Sequence, residues 1–155
     1  MIGVTHVERA PSSGASAPSY DRESGILEVP IIEGEQWTNG FDLDALVVVD
    51  VTDDLAVANL DILVPRDDWV RGLPLTRLER RSGLRRLRVT PEVLATKSFT
   101  ATPEVFVSED GTRVQVLLPG KRQAVRGIPI SKHCDSLVVG DELVGFQIKI
   151  PPSDL

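Results

Sequence analysis

The stretch "LVVVDVTDDLAVANLDIL" (residues 46–63) reads as an apolar β-branched run, a short acidic turn and a second apolar run. β-Branched residues pack well on a pleated surface, so each run reads as a strand. On the near side, "LDALVVVDV" puts Leu43, Ala45, Val47, Val49 and Val51 on one face of a single predicted strand. On the far side, "LAVANLDILVP" puts Ala56, Ala58, Leu60, Ile62 and Val64 on one face. The same phrase returns as "LVVGDELVGFQIKI" (residues 137–150), with Val144, Phe146, Ile148 and Ile150 on one face. A strand, acidic turn and strand met twice in a small chain points to an internal duplication.

The flanks extend the match. "GILEVPII" alternates Leu27, Val29 and Ile31, and Pro30 predicts that this strand ends there or lies at an edge. "EVFVSEDGTRVQVLL" is a predicted hairpin turning at Asp110-Gly111. Leu27, Val29 and Ile31 match Val114, Val116 and Leu118 at an offset of 87, as Phe41 and Leu43 match Ile128 and Ile130. The acidic turn matches at 88, Asp53-Asp54-Leu55 onto Asp141-Glu142-Leu143. So do Ala58, Leu60 and Ile62 onto Phe146, Ile148 and Ile150, and Tyr20 and Phe106 open the two windows. A single small meander is marginal in water and needs a cover. The predicted fold is therefore mostly antiparallel β with a minor α component (α+β minor). Two duplicated β-meander units pack as a pseudo-two-fold sandwich or barrel, joined by a short helical, Arg-rich bridge. The predicted boundaries are an extended arm at 1–19, a β unit at 20–69, the bridge at 70–104 and a second β unit at 105–155, all in one compact domain.

In the bridge, "LPLTRLERRSGLRRLRV" spaces Leu75 and Leu78, then Leu84 and Leu87, three apart, which predicts a short helix or helical turn. "TPEVLATK" predicts a helix over 91–97: Thr90 can cap, Pro91 suits the first position and Glu92 the positive end of the dipole. In the arm, Ile2 and Val4 are expected to add an edge strand to their own domain or to a partner.

The chain has 155 residues, is 41% hydrophobic and 26% charged, and carries a net charge of −6. That size and balance suit one soluble domain. The longest apolar runs fall far short of the ~20 residues of a membrane span. The N-terminus lacks the basic flank and apolar core of a secretory signal, so the expected location is the cytoplasm, or a virion. Acidity disfavours nucleic acid as a partner. The charge is uneven, however. Residues 66–88 hold eight arginines against Asp67, Asp68 and Glu79, so this segment is +5 and the remainder −11.

"SYDRESGILEVPI" followed by "VVVDVTDDLAVANLDIL" resembles a small bacterial domain of unknown function. That family opens on Tyr-Asp-x-Glu before a strand, as Tyr20, Asp21 and Glu23 do. It closes on a V-V-D-x-D…G-I-E-I-L phrase, as Val48-Val49-Asp50 and Leu60-Asp61-Ile62-Leu63 do. Gly145 stands at the family's glycine in the second copy, whereas Ala58 lies near that point in the first. The resemblance covers about two-thirds of the chain. It implies a compact antiparallel β unit of bacterial or phage origin and assigns no functional residue.

Each candidate site has a plain structural alternative. His133 beside Cys134 could activate a thiolate, but neighbours on a strand face opposite ways. Asp42, Asp44, Asp50, Asp53 and Asp54 offer oxygen ligands without the spacing of a calcium loop. No phosphate loop, serine elbow or dinucleotide fingerprint is present. No catalytic, metal or cofactor residue is assigned, and the chain is not expected to be an enzyme. The residues expected to bind a partner are Trp37, Trp69, Arg80, Arg81, Arg85 and Arg86. Three functional expectations follow, the third and least favoured being a small enzyme or nucleic-acid-associated factor. The first is a non-enzymatic protein-binding module, immunity-, antitoxin- or regulator-like. The second is a structural or assembly component of a phage particle or multisubunit complex, using the arm for self-association.

Overall fold

A computed structural model describes residues 2–8, 15–120 and 122–151. Strand β1 (Val4–Glu8) comes first. A first group follows: β2 (Ser19–Asp21), β3 (Ile26–Pro30), β4 (Trp37–Leu43), β5 (Val47–Thr52) and β6 (Val57–Ile62). After a 3-10 turn at Arg66–Asp68, the connecting segment holds β7 (Val70–Arg71), β8 (Glu79–Arg80), β9 (Arg85–Val89), helix α1 (Pro91–Thr96) and β10 (Ser98–Phe99). A second group ends the chain: β11 (Glu104–Val107), β12 (Arg113–Leu117), β13 (Arg126–Pro129), β14 (Cys134–Val139) and β15 (Glu142–Lys149).

The protein is mostly β. A six-stranded sheet has the order β10-β4-β5-β6-β3-β2, a seven-stranded sheet the order β7-β11-β12-β15-β14-β13-β8, and β1 and β9 form a separate ribbon. One apolar core takes side chains from both sheets, the ribbon and α1, so the arrangement is sandwich-like.

The two sheets are wound alike. In each, a hairpin is followed by a three-strand meander whose last strand returns beside the second. The registers match as well. Tyr20↔Leu27 corresponds to Val107↔Val114, Phe41↔Val49 to Ile128↔Ser136, and Gly40↔Asp50 to Gly127↔Leu137. The bulge between Asp50 and Val51 has its counterpart between Leu137 and Val138. The first four strands keep the offset of 87. The last strand does not keep 88: Val47↔Ile62 corresponds to Cys134↔Ile148, an offset of 86. The β14–β15 turn is shorter than the β5–β6 turn, so matching by acidic residues slides the last strand by two. Tyr20 likewise corresponds to Val107 rather than Phe106.

The ribbon crosses between the sheets. Val4 N–H donates to Asp141 O and Leu143 N–H to Ile2 O, which seals β1 onto the β14–β15 turn. Val89 N–H donates to Leu55 O, which seals β9 onto the β5–β6 turn. Ile2 and Val4 are therefore buried in their own chain, the first of the two places expected for the arm.

Three local expectations change. Residues 43–51 are not one strand. The chain reverses over residues 44–46, where Asp44 and Ala45, with φ values of 54° and 56°, form a mirror-image β-turn closed by Leu46 N–H on Leu43 O. Asp42 Oδ1 accepts the Ala45 N–H at 2.8 Å and holds the turn. An L-residue in the left-handed region costs about 1–2 kcal/mol. Part of that returns to an unfolded glycine as entropy, so Ala45→Gly is expected to raise stability by about 0.5–1 kcal/mol and Tm by about 2–4 °C in thermal denaturation.

The second change concerns the leucines of the bridge, none of which is helical: Leu84 precedes strand β9 and Leu87 lies in it. Leu75 and Leu78 lie on an extended strap and pack on the outer face of the second sheet with Leu117, Val125 and Leu137. Gln115 pins the strap from both sides, accepting from Leu75 N–H and donating to Leu75 O at 2.8 Å. The third is Val144, which belongs to this outer cluster while Phe146, Ile148 and Ile150 face the main core. The bulge opposite Gly145 shifts the alternation. The α1 helix stands where it was predicted, with Pro91 at its start and Glu92 in its first turn, although Thr90 makes no side-chain cap. β3 ends at Pro30, and the Asp110-Gly111 hairpin forms.

Candidate functional site: an arginine cluster around His6

Directly opposed residues of an antiparallel pair share a face. In the ribbon, Val4 opposes Val89, His6 opposes Leu87 and Glu8 opposes Arg85. Val4, Leu87 and Val89 are buried in the core, so His6 and Arg85 point the same way nearer the ribbon's open end. In the second sheet Ile128 opposes Ser136 and Arg126 opposes Val138. Ile128 and Val138 belong to the core, so Arg126 and Ser136 also lie on the core side, at the sheet margin.

The two margins meet. His6 Nε2 lies 2.7 Å from Ser136 Oγ. Ser136 is fully buried, and its hydroxyl donates to Ile128 O at 3.3 Å. A hydroxyl has one proton and a carbonyl only accepts. Both bonds are therefore satisfied when His6 Nε2 carries the ring proton and donates. Arg81 enters from the segment after β8, where its N–H donates to Gly127 O at 3.1 Å.

The His6 ring is pushed down to about 4, first by burial and then by the positive charges of Arg126, Arg81 and Arg85, with Asp141 acting in the opposite sense. Among the described residues, Arg81 and Arg126 form no ion pair. An unfolded histidine titrates near 6.5. Between that value and about 4 the unfolded chain holds the extra proton, so His6 contributes stability that is complete above pH 6.5 and lost as pH falls toward 4. Discounted for partial exposure, the loss between pH 7 and pH 5 is about 1 kcal/mol. Urea unfolding at the two pH values should show it in the native sequence, and His6→Gln should remove that part of the difference.

The residues nominated from sequence divide sharply. Arg80 turns away from Arg81 and clasps Asp135 through Nε at 3.0 Å and Nη2 at 3.1 Å. Asp135 is only 3% exposed, so this fork neutralises a buried carboxylate. Arg86 is held by Glu35 and by Asp54 at 2.8 Å, and these bonds, Glu35's first, raise its pKa. Its Nε is buried without a partner. Arg80 and Arg86 are thus internal fasteners. Arg81 and Arg85 belong to the cluster. Trp69 is 8% exposed, donates its Nε1–H to Val64 O at 3.0 Å and meets Tyr20 edge-on, so it covers an end of the core. Trp37 is 46% exposed at the start of β4. His6, Ser136 and Arg126 were not nominated. Only the β1–β9 pairing brings a histidine to a serine 130 positions away.

The other sequence candidates resolve into structure. Cys134 is buried beside Asp135, and burial first, then the Asp135 charge, push its thiol well above the usual range. It has no thiolate character. Asp42 and Asp44 hold the β4–β5 turn to Ser98 and Thr102. Asp53 accepts from Thr38, Asp54 from Thr52 and Arg86. Asp50 shares the Asn59 amide with Asp61, and burial raises its pKa. Among the described residues, no group of three or more His, Cys, Asp or Glu could hold a metal ion. None of the described helices is long and apolar enough to cross a membrane.

No family model matches the chain, and no curated protein matches it.

Proposed function

We propose that this chain is a non-enzymatic protein-binding module of bacterial or phage origin, acting on a partner's acidic surface. The observation that carries the proposal is the cluster of Arg81, Arg85 and Arg126 around His6, in which Arg81 and Arg126 form no ion pair among the described residues. A positive patch on an otherwise acidic protein steers an acidic partner and excludes others. Trp37 supports the reading as an exposed aromatic of the kind that anchors interfaces. It lies two positions from Glu35, which clasps Arg86 beside Arg85 on β9. Partner recruitment by strand addition loses support. Each of the two large sheets ends on a strand of two or three residues, β10 and β2 in one and β7 and β8 in the other. Short edges are poor templates. Assembly through the arm loses support too, because Ile2 and Val4 are spent inside the chain.

The test is binding to a glutamate-rich peptide, followed by fluorescence anisotropy at low salt. The double variant Arg81→Glu, Arg126→Glu is expected to weaken binding at least about tenfold. An unchanged affinity, or tighter binding to duplex DNA than to the peptide, defeats the proposal.

We also infer that the two halves descend from one duplicated unit of the bacterial type noted above. Matching strand order, matching registers and the corresponding bulges support this beyond the acidic turn.

A further inference from the structure

We infer that the junction where the β1–β9 ribbon meets the β13–β14 margin is a phosphoryl-binding site, with Arg81, Arg85 and Arg126 as its donors and His6 as its proton acceptor. This deepens the protein-binding reading by naming the group recognised, and rests on that reading only for the group's source.

Arg85 on β9, Arg126 on β13 and Arg81 after β8 come to this junction from three separate segments, Arg85 with its Nη1 donating to Leu84 O, and all three charges act on His6. The described carboxylates facing the junction are Glu8, which opposes Arg85, and Asp141, whose charge reaches His6. Neither forms an ion pair with Arg81 or Arg126. One carboxylate would supply one negative charge. A phosphoryl group supplies about −1.5 to −2 at pH 7 and three strong acceptor oxygens. The planar fork of arginine matches those oxygens in pairs. Arg126 and Arg85 are half-buried, where such contacts are worth more than in open water. An extended polyanion fits less well. The chain outside residues 66–88 carries −11 and repels it at a distance, whereas a single localised group meets only the cluster.

His6 adds a signature that a plain basic patch lacks. Its Nε2 is committed to Ser136, so Nδ1 is the free lone pair. Burial and the charges of Arg126, Arg81 and Arg85 keep that nitrogen unprotonated, with only Asp141 opposing them. A bound phosphoryl group cancels the arginine field and accepts a hydrogen bond from Nδ1–H. Binding therefore takes up a proton at mildly acid pH.

The experiment is an NMR titration of the His6 ring in the full chain near pH 6 with three probes. They are inorganic phosphate, a phosphoserine peptide and the same peptide with serine. Phosphate and phosphopeptide are expected to shift the His6 resonances and raise its apparent pKa by at least about one unit. The serine peptide should leave them in place. Arg126→Gln, and independently the exposed Arg81→Gln, should each weaken phosphate binding at least about tenfold. His6→Gln should retain binding but lose the proton uptake seen by calorimetry in buffers of different ionisation enthalpy. The inference is overturned if neither phosphorylated probe moves His6, or if both arginine variants bind phosphate as the native chain does. Binding of unphosphorylated acidic peptide without phosphate binding also overturns it, while leaving the protein-binding reading intact. Phosphate bound as tightly as the phosphopeptide supports the site and removes the peptide partner.

Discussion

Gly145→Ala is expected to cost about 3–5 kcal/mol and lower Tm by about 10 °C or more. Gly145 sits in β15 between Leu117 of β12 and Leu137 of β14. An added Cβ would stand 2.1 Å from Val116 O and 3.0 Å from a Leu117 methyl. The first obstacle is backbone in the interior of the sheet, so relief requires prising β12 from β15. Burial offers little in return, since one methyl group is worth about 0.8 kcal/mol. Gly140→Ala is the control. It has φ of 59° but nothing within 4 Å of the added atom, so only the conformational cost of about 1 kcal/mol remains. Urea unfolding of the two variants separates the effects. Equal losses would show that the clash at Gly145 is relieved at no cost. The corresponding position of the first sheet is Asn59, since Leu137↔Gly145 matches Asp50↔Asn59. The first sheet therefore has a side chain at this position, and its own close approach lies elsewhere, where a Cβ on Gly40 would stand 2.7 Å from Val49 O.

Deleting residues 1–8 is expected to abolish cooperative unfolding. The deletion removes Ile2 and Val4 from the core, each worth about 2–3 kcal/mol. It opens the hydrogen bonds to Asp141 and Leu143 and all five register pairs with β9. It also leaves the Ser136 hydroxyl without His6. The sum of about 5 kcal/mol or more approaches the whole stability of an ordinary domain. Loss of the sigmoidal thermal transition, with dispersed amide NMR signals collapsing, is the expected readout. A truncated chain that stays folded but changes only its oligomeric state by light scattering would restore the assembly reading of the arm.

Legibility followed the range of the signals. Asp110-Gly111 announces its hairpin because the turn needs a positive φ that glycine adopts freely, and Gly111 has φ of 73°. The β4–β5 hairpin carries the same requirement on Asp44 and Ala45, without glycine or asparagine, so the run from Leu43 to Val51 reads as unbroken. Leu75 and Leu78 show a helical spacing, yet their partners Leu117 and Leu137 lie on a flat sheet face that accepts an extended strap as readily. The α1 helix, by contrast, depends on Pro91 and Glu92, whose preferences act within one turn.

The site was legible only in half. Arginine density drew attention to residues 80–86, and Arg81 and Arg85 lie in the cluster. Density could not distinguish them from Arg80 and Arg86, because Asp135, Glu35 and Asp54 approach from other strands and loops. His6 carries no local mark at all. Its surroundings exist only because β1 leaves its own half of the chain and pairs with β9. By register, Ser136 corresponds to Val49, which is fully buried in the first sheet, so a hydroxyl at that inward position is the one departure from apolar pairing that points at His6.

The crossed sealing of the two hairpin turns also sets a timetable for synthesis. The strands of the first sheet's hairpin and meander have all been made once Ile62 is added, but the turn that Leu55 and Ala56 form is closed by Arg88 and Val89. Strand β1, made before the other described strands, waits longest, since its anchoring turn contains Asp141, Glu142 and Leu143. Translation proceeds at about 5–20 residues per second. Strand β1 can meet β9 first but lacks its seal to the β14–β15 turn for several seconds more, and the native core closes only once β15 has emerged.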